Sequence, residues 1–195
     1  IFARDPIAGQ VKTRLIPAIG EAGAATLYRR LLDNTLATGT QVAADRHELW
    51  VDRANPTPGL VARAEKFGMS VHIQSGPDLG ARMHAAFAES LRTANRAVLI
   101  GTDCPEYDAD YLDADFQALE GHDGVIGPAW DGGYVLIGLR VVQAELFRDI
   151  PWGTADVLAA TRDRIQHRHL RSYELPVRHD VDQPDDLLRF PHLLS

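Results

Sequence analysis

The chain contains a single cysteine and no long hydrophobic run. One cysteine cannot form a disulfide within the chain, which is typical of a reducing environment, so we expect a cytoplasmic protein. No apolar stretch approaches the roughly 20 residues of a membrane-spanning helix. We also recognise no leader with a charged start, an apolar middle and small residues at a cleavage site. We therefore expect a soluble chain without a membrane span. The first strand ends at Ala3, so we expect it to begin before residue 1.

The chain also lacks an excess of positive charge. Its formal net charge is −7 at pH 7, and it contains no basic run. Because nucleic acids are bound mainly through Lys and Arg contacts to phosphates, we expect no nucleic-acid partner. A small anionic ligand could still bind to a local cluster of cations. The 195 residues, 45% of them hydrophobic, are enough to bury the core of a single domain.

A short apolar run in the middle of the chain ends beside an aspartate. Residues 97–100 predict a buried strand, and Gly101 ends the run. Ligands of open α/β sheets lie outside the carboxyl ends of the strands, so Asp103 falls where a phosphate or a metal would bind. Pro105 turns the chain away from sheet pairing. The alternative is that Asp103 only starts a turn or caps the next helix.

Strands and helices alternate along the sequence. This alternation predicts an α/β fold with a mostly parallel central sheet and helices on both faces. A hairpin over residues 125–139 makes the sheet mixed, and Pro176 favours an edge position for the strand over residues 172–177. We expect helices over residues 21–39 and from Thr154, a candidate N-cap, to about His169.

Two loops carry candidate phosphate-binding residues. The first follows the first strand and contains Gly9 and several cations, which could cradle a phosphate although the Walker spacing is absent. A solvated basic loop is the alternative. The second loop leads into a helix and could bind a base or a phosphate, unless Asp78 is only a helix cap. The candidates are Arg4, Gly9, Lys12, Thr13 and Arg14 in the first loop and Gln74, Gly76, Asp78 and Arg82 in the second.

Three carboxylates follow strands or turns, namely Asp103, Asp131 and Asp182. Mg²⁺ or Mn²⁺ commonly binds one or two carboxylates and takes its remaining ligands from water and substrate phosphates. We expect Asp103 and Asp182 to share such an ion, which requires their carboxylates to lie within about 8 Å of each other. A metal and nearby cations together would stabilise a diphosphate leaving group.

A glycine-flanked turn carries the third carboxylate. Asp131 could position an acceptor hydroxyl or act as its general base, although a hairpin turn alone explains the Asp-Gly pair. Nearby aromatic residues could line an acceptor pocket, or could simply pack. The expected acceptor residues are Trp130, Gly132, Gly133, Tyr134 and Trp152.

Several blocks of the sequence, in order along the chain, carry a resemblance to a known family. They are residues 2–4 with 9–15, 74–83, 101–105, 131–134, 150–152 and 180–187. They resemble the selenodomain-associated transferase family, which belongs to the GT-A nucleotide-diphospho-sugar transferase superfamily. The resemblance implies one GT-A-like domain over residues 1–195, with a nucleotide-binding half over about 1–105 and an acceptor half over about 106–195. Asp103 is similar to the metal aspartate of guanylyltransferases and glycosyltransferases.

The last block resembles the Asp-Thr-Pro-Glu-Asp-Leu element of sugar-acid cytidylyltransferases, whose first aspartate joins the metal. Gln183 replaces the usual Thr, and the first loop is shortened to one glycine. The short loop favours a glycosyl donor over a nucleotidyl donor. We therefore expect a metal-dependent glycosyltransferase that moves a sugar from a nucleoside-diphosphate sugar to a small acceptor.

Two other functions remain open at this point. One is a guanylyl- or cytidylyl-type nucleotidyltransferase that uses a nucleoside triphosphate and a small phosphorylated or acidic substrate. The other is a nucleotide-sugar binding protein without catalysis.

Overall fold

Short apolar strands alternate with helices in the computed structural model, which describes residues 1–194. The strands are β1 (Phe2–Ala3), β2 (Glu48–Val51), β3 (Ser70–Ile73), β4 (Ala97–Ile100), β5 (Gly124–Pro128), β6 (Tyr134–Leu139) and β7 (Ser172–Glu174). The helices are α1 (Ile16–Gly39), α2 (Pro58–Lys66), α3 (Leu79–Ser90), α4 (Ala109–Gly121), α5 (Val157–His167) and α6 (Asp186–Arg189). The predicted α/β class is confirmed. No helix within residues 1–194 has the length and apolar character needed to cross a membrane.

The contacts divide the chain into two compact units. The first unit contains Ile1–Ile73, Gly101–Tyr107 and the residues from Asp180 onward, and the second contains Gln74–Ile100 and Asp108–His179. The assignment of a nucleotide-binding half and an acceptor half stays a prediction, because compactness does not report binding.

A parallel sheet in the order β1-β2-β3 forms the centre of the first unit. Its apolar side chains pack against α1 and α2 through Leu32, Leu36 and Leu60, all of which are fully buried. Gly20 has a φ of 71° and interrupts α1, so the continuous helix follows this glycine, close to the start that the sequence predicts.

The carboxyl-terminal segment packs on the same unit. Val181 and Leu187 contact Leu15, Leu27 and Leu31 in one buried cluster. This packing fixes residues 180–187 against the beginning of the chain. It therefore determines where Asp182 lies.

A mixed sheet in the order β4-β6-β5-β7 forms the centre of the second unit. The predicted hairpin is present, since β6 pairs antiparallel with both β5 and β4. The strand β7 pairs parallel with β5 and lies at the edge, as Pro176 indicated. Hydrogen bonding thus groups the described strands in one parallel and one mixed sheet.

The predicted start of α5 at Thr154 is wrong. The helix begins at Val157, and the Thr154 hydroxyl donates to the Pro151 carbonyl at 2.8 Å. The same hydroxyl accepts the N–H of Asp156 at 3.3 Å, so it stabilises the turn before the helix.

Candidate functional site

Lys12 lies between the two carboxylates that the sequence predicts as metal ligands. Its Nζ atom is 2.6 Å from Asp103 Oδ1 and 2.8 Å from Asp182 Oδ1. It also donates to the Val181 carbonyl at 2.6 Å. Since both carboxylate oxygens contact the same nitrogen, their separation cannot exceed the sum of those two distances. This satisfies the expectation of about 8 Å for a shared cation.

The backbone around Lys12 explains how its side chain reaches this position. Lys12 has a φ of 47° and a ψ of 42°, a left-handed conformation that is uncommon for a residue other than glycine. It immediately precedes a 3₁₀ turn over Thr13–Leu15, and its carbonyl accepts the Leu15 N–H at 2.9 Å. Val11 and Leu15 are buried on either side, so the lysine side chain also enters the interior, where only 4% of it is exposed.

Electrostatics favours the charged forms of this cluster. Burial lowers the pKa of Lys12, but the attraction of Asp103 and Asp182 outweighs it, so the net pKa is raised. Burial by itself would raise the pKa of Asp182. The attraction of Lys12, together with smaller effects of Arg14 and Arg4, outweighs burial, so the pKa of Asp182 is lowered. The lysine is therefore an ammonium and Asp182 a carboxylate at neutral pH.

A hydrogen-bonded frame positions Asp103. The Asp103 carbonyl accepts the Val181 N–H at 2.9 Å, which joins the two aspartate segments directly. Next to it, the Thr102 hydroxyl lies 3.0 Å from the Tyr28 hydroxyl on α1. The Tyr28 oxygen also accepts the Arg4 N–H at 2.7 Å. Burial raises the pKa of Tyr28 well above its usual range, so the hydroxyl keeps its proton.

Asp186 positions the other aspartate. Its Oδ2 atom accepts the N–H of Asp182 at 2.8 Å and the N–H of Gln183 at 2.6 Å. These bonds close the turn before α6 and orient Asp182 toward Lys12. Asp186 is not among the residues that the sequence predicts for the site, although an acid shortly after Pro184 is a recognisable signal of a helix start.

Two of the predicted phosphate-binding cations border this cluster and are open to solvent. The side chains of Arg4 and Arg14 are 63% and 57% exposed. Arg14 Nη1 lies 3.5 Å from Asp182 Oδ2, and Arg4 Nη1 donates to the Gln10 carbonyl at 3.3 Å. Arg53, which sequence reasoning missed, donates to the Gln10 side chain at 2.9 Å. Gly9 in the same loop has a φ of 77°.

The second predicted loop lies in the second unit and is held by its own side chains. Asp78 Oδ1 accepts the Ala81 N–H at 2.8 Å and caps α3, which was the alternative to a ligand role. Arg82 Nε donates to the Gly76 carbonyl at 3.1 Å. Gly76 has a φ of 144°, and a Cβ there would lie 2.8 Å from Ala81 Cβ. Nucleotide binding by this loop, including Gln74, stays a prediction.

The Asp131 turn also lies in the second unit. Asp131 Oδ1 accepts the Gly133 N–H at 2.8 Å, and the Gly133 carbonyl accepts the Ala129 N–H at 3.0 Å. Gly132 has a φ of 90°, and a Cβ there would overlap the Ala155 backbone. The carboxylate thus stabilises the turn, and its role as a general base stays a prediction.

The candidate acceptor aromatics occupy two environments in the second unit. The Trp130 side chain is 72% exposed, and its ring centroid lies 5.3 Å from that of His179. Tyr134 and Trp152 instead contact each other edge to face, with centroids 6.2 Å apart. An exposed tryptophan is free to stack on a ligand, whereas the other pair is engaged in packing.

A family match covers most of the chain. Residues 35–154 match the family described as "Uncharacterized protein conserved in bacteria (DUF2064)". The chain belongs to the DUF2064 family. A crystal structure from Desulfovibrio desulfuricans G20, provisionally assigned as a nucleotide-diphospho-sugar transferase, is 32% identical to it with a TM-score of 0.85. The match covers 93% of this chain and 80% of that one. None of the curated proteins matches this DUF2064 chain significantly.

More distant structures share the fold of this DUF2064 protein. A cytidylyltransferase from Leptospira borgpetersenii is 14% identical with a TM-score of 0.62, covering 99% of this chain and 94% of that one. Glucosyl-3-phosphoglycerate synthase from Mycobacterium tuberculosis, in complex with Mn²⁺, UDP and glucosyl-3-phosphoglycerate, is 16% identical with a TM-score of 0.53. That match covers 82% of this chain and 70% of the synthase. At these identities the likeness concerns the fold alone.

The donor set of the DUF2064 site suits a hard divalent cation. Among residues 1–194, no group of three or more His, Cys, Asp and Glu side chains is arranged to hold a metal. Two carboxylates already converge on one cation, the Lys12 ammonium. Mg²⁺ and Mn²⁺ accept such a pair and complete their coordination with water and substrate phosphates. Asp103 and Asp182 are therefore the residues that could hold such an ion, and their role as metal ligands stays a prediction.

Proposed function

We propose that this DUF2064 protein is a glycosyltransferase that uses a nucleoside-diphosphate sugar and a divalent cation, Mg²⁺ or Mn²⁺. The observation that carries the proposal is the convergence of Asp103 and Asp182 on a single cation-sized position. The two aspartates come from distant parts of the chain, and a shared cation is a physical reason to bring two carboxylates together.

The residues of the first unit have distinct parts in this reaction. Asp103 and Asp182 hold the metal, and Asp186 and Tyr28 keep the two aspartate segments in place. The exposed guanidinium groups of Arg4 and Arg14 bind the diphosphate of the donor. When bound, the metal neutralises the charge that develops on the departing nucleoside diphosphate.

Two relatives support a transferase. The homologue from Desulfovibrio desulfuricans is provisionally assigned as a nucleotide-diphospho-sugar transferase. The mycobacterial synthase shares the fold and binds Mn²⁺ and UDP. The first loop, with Gly9 as its one glycine, favours a glycosyl over a nucleotidyl donor.

The acceptor roles are also part of the proposal. Asp131 would accept the proton of the acceptor hydroxyl, and Trp130 would stack on the acceptor. Gly132 and Gly133 would let the acceptor approach the backbone, with Tyr134 and Trp152 as further contacts. Gly76, Asp78 and Arg82 would contribute to nucleotide binding through their loop.

Binding of a set of candidate donors tests the proposed function. The protein is incubated with Mn²⁺ or Mg²⁺ and with nucleoside-diphosphate sugars or nucleoside triphosphates, and thermal unfolding is recorded. A true donor at 100 times its Kd should stabilise the fold by about 2.7 kcal/mol, and only with metal. Release of nucleoside diphosphate with an acceptor pool, followed by mass spectrometry, then reports transfer.

Two variants show whether the measured turnover depends on the proposed metal site. Asp103→Asn should lower turnover by about 100-fold or more. Asp45→Asn, which changes an exposed acid in the first unit, should leave turnover unchanged. Stabilisation by triphosphates alone, with release of pyrophosphate, would favour nucleotidyl transfer instead. Metal-dependent donor binding without any turnover would identify a binding protein.

A further inference from the structure

The position between Asp103 and Asp182 is already filled by a cation of the chain itself. The Lys12 ammonium lies within 2.8 Å of one oxygen from each carboxylate, and the Val181 carbonyl takes a third direction. The ammonium donates hydrogen bonds to Asp182 and to the Val181 carbonyl and forms a close ion pair with Asp103. The sequence predicts Lys12 as a phosphate ligand, yet here it is engaged by the two predicted metal ligands.

A metal held by the two oxygen atoms that Lys12 contacts would need the position of its ammonium. A Mg²⁺ ion requires oxygen ligands at about 2.0–2.1 Å, so an ion bound to Asp103 Oδ1 and Asp182 Oδ1 would lie close to the position that Lys12 Nζ occupies. A metal and an ammonium that shared these two oxygen atoms would repel each other. A metal bound in this way would therefore have to replace the ammonium.

We propose that Lys12 is the resident counter-ion of Asp103 and Asp182, and that a divalent cation binds by displacing its ammonium. This inference rests on the proposed function, because it assumes that the same two carboxylates hold the metal. Without metal, Lys12 stabilises a pair of acids that would otherwise repel each other. With metal, the released ammonium becomes free to bind the donor phosphates.

The displacement couples the two ligands of the enzyme. Lys12 is in the same short segment as Arg14, whose guanidinium is exposed beside Asp182. A freed ammonium therefore adds positive charge next to the arginines only after the metal has bound. Metal binding should then strengthen donor binding, and by reciprocity donor should strengthen metal binding.

Metal affinity measured without any donor tests the displacement. Isothermal titration with Mn²⁺ is carried out on the wild-type chain, Lys12→Met and Lys66→Met. Lys12→Met removes the competing ammonium and should tighten Mn²⁺ binding by about tenfold or more. Lys66→Met makes the same substitution at an exposed lysine at the end of α2, and it should change the affinity by less than about threefold.

The wild-type chain offers a second measurement in case Lys12→Met does not fold. Lysine occurs at positions 12 and 66 only, and Lys66 is exposed, so it serves as an internal reference. With ¹⁵N-labelled lysine, the Lys12 ammonium signal should show slow proton exchange, as expected for a buried ammonium. Titration with diamagnetic Mg²⁺ should shift that signal and accelerate its exchange, while the Lys66 signal stays unchanged.

The outcomes separate the inference from the proposed function. Absence of Mn²⁺ binding to both the wild-type chain and Lys12→Met would overturn both. Metal binding that is unchanged or weaker in Lys12→Met, with a Lys12 signal that does not respond to Mg²⁺, would overturn the displacement alone. Tighter binding in Lys12→Met together with a responsive Lys12 signal would support it.

Discussion

The Tyr28 hydroxyl lies 3.0 Å from the Thr102 hydroxyl, and the same oxygen accepts the Arg4 N–H at 2.7 Å. One buried side chain on α1 thus connects the first loop to the segment that carries Asp103. The ring of Tyr28 is 2% exposed, so no water can replace these bonds easily.

Replacing this hydroxyl should weaken both the fold and the site. Tyr28→Phe keeps the ring but leaves the Arg4 N–H and the Thr102 hydroxyl without their partner. We expect the free energy of unfolding to fall by about 1–3 kcal/mol and Mn²⁺ affinity to fall as well. Urea unfolding and calorimetry measure the two effects. Tyr173→Phe, at a 45% exposed ring, should change stability by less than about 0.5 kcal/mol.

Asp186 should be important for the site although it does not contact Lys12. Asp186→Ala removes the acceptor of two backbone N–H groups, so we expect a loss of about 1–2 kcal/mol and weaker Mn²⁺ binding. The neighbouring Asp185 is an exposed acid that makes no side-chain cap bond. Asp185→Ala is therefore the matched control. Equal effects of the two substitutions would show that Asp186 does not position Asp182.

Asp115 should make stability depend on pH. This carboxyl on α4 is 0% exposed, and neither oxygen has a hydrogen-bond partner among the described residues. Burial raises the pKa of Asp115 to about 8. The negative charge of Asp113 contributes to this increase, and the positive charge of Arg96 opposes it. The folded chain therefore keeps this proton at pH values where the unfolded chain has lost it.

The sign of the effect follows from this difference in bound protons. Between about pH 4 and pH 8 the folded state binds one more proton at Asp115, so this group lowers stability by about 1.4 kcal/mol for each pH unit of increase. Asp115→Asn should remove that slope and raise stability at pH 8, as measured by urea unfolding across this range. Asp163→Asn, at an exposed acid, should preserve the slope. A slope that persists in Asp115→Asn would assign the titration to another group.

Gly132 should be intolerant of a side chain. Its φ of 90° disfavours other residues, and an added Cβ would overlap the Ala155 backbone. We expect Gly132→Ala to cost about 2 kcal/mol or more in thermal or chemical unfolding. Gly121 has open space around the position of a Cβ, so Gly121→Ala should be neutral or slightly stabilising. Similar losses in both variants would contradict the strained turn.

Local patterns predicted the elements and the β5–β6 hairpin, but not the partners of the other strands. The apolar run before Gly101 and the Asp-Gly-Gly turn were recognisable, because strand and turn signals depend on neighbouring residues. The grouping of the strands in two sheets could not be recognised from the sequence, because periodicity indicates a strand but not the strand with which it pairs. Thr154 was mistaken for an N-cap because its hydroxyl bonds a turn that no spacing distinguishes from a cap.

The candidate site was predicted from residue types, and its metal binding stays a prediction. The structure brings Asp103 and Asp182, which the sequence pairs, together on Lys12. Lys12 was placed on a phosphate because a cation in a glycine-containing loop suggests an anion. Its actual contacts are to residues 91 or more positions away, which only tertiary packing brings near. Asp115 lies four residues from both Tyr111 and Leu119, so helical spacing places it on the buried face of α4, although a carboxylate is seldom found there.

The central claim is that Asp103 and Asp182 share one divalent cation. Its most direct test is Mn²⁺ binding, followed by electron paramagnetic resonance or calorimetry, in the wild-type chain, Asp103→Asn and Asp182→Asn. We predict one Mn²⁺ per wild-type chain and a loss of affinity of about 100-fold or more in each variant. Binding of wild-type strength in either variant would contradict the account.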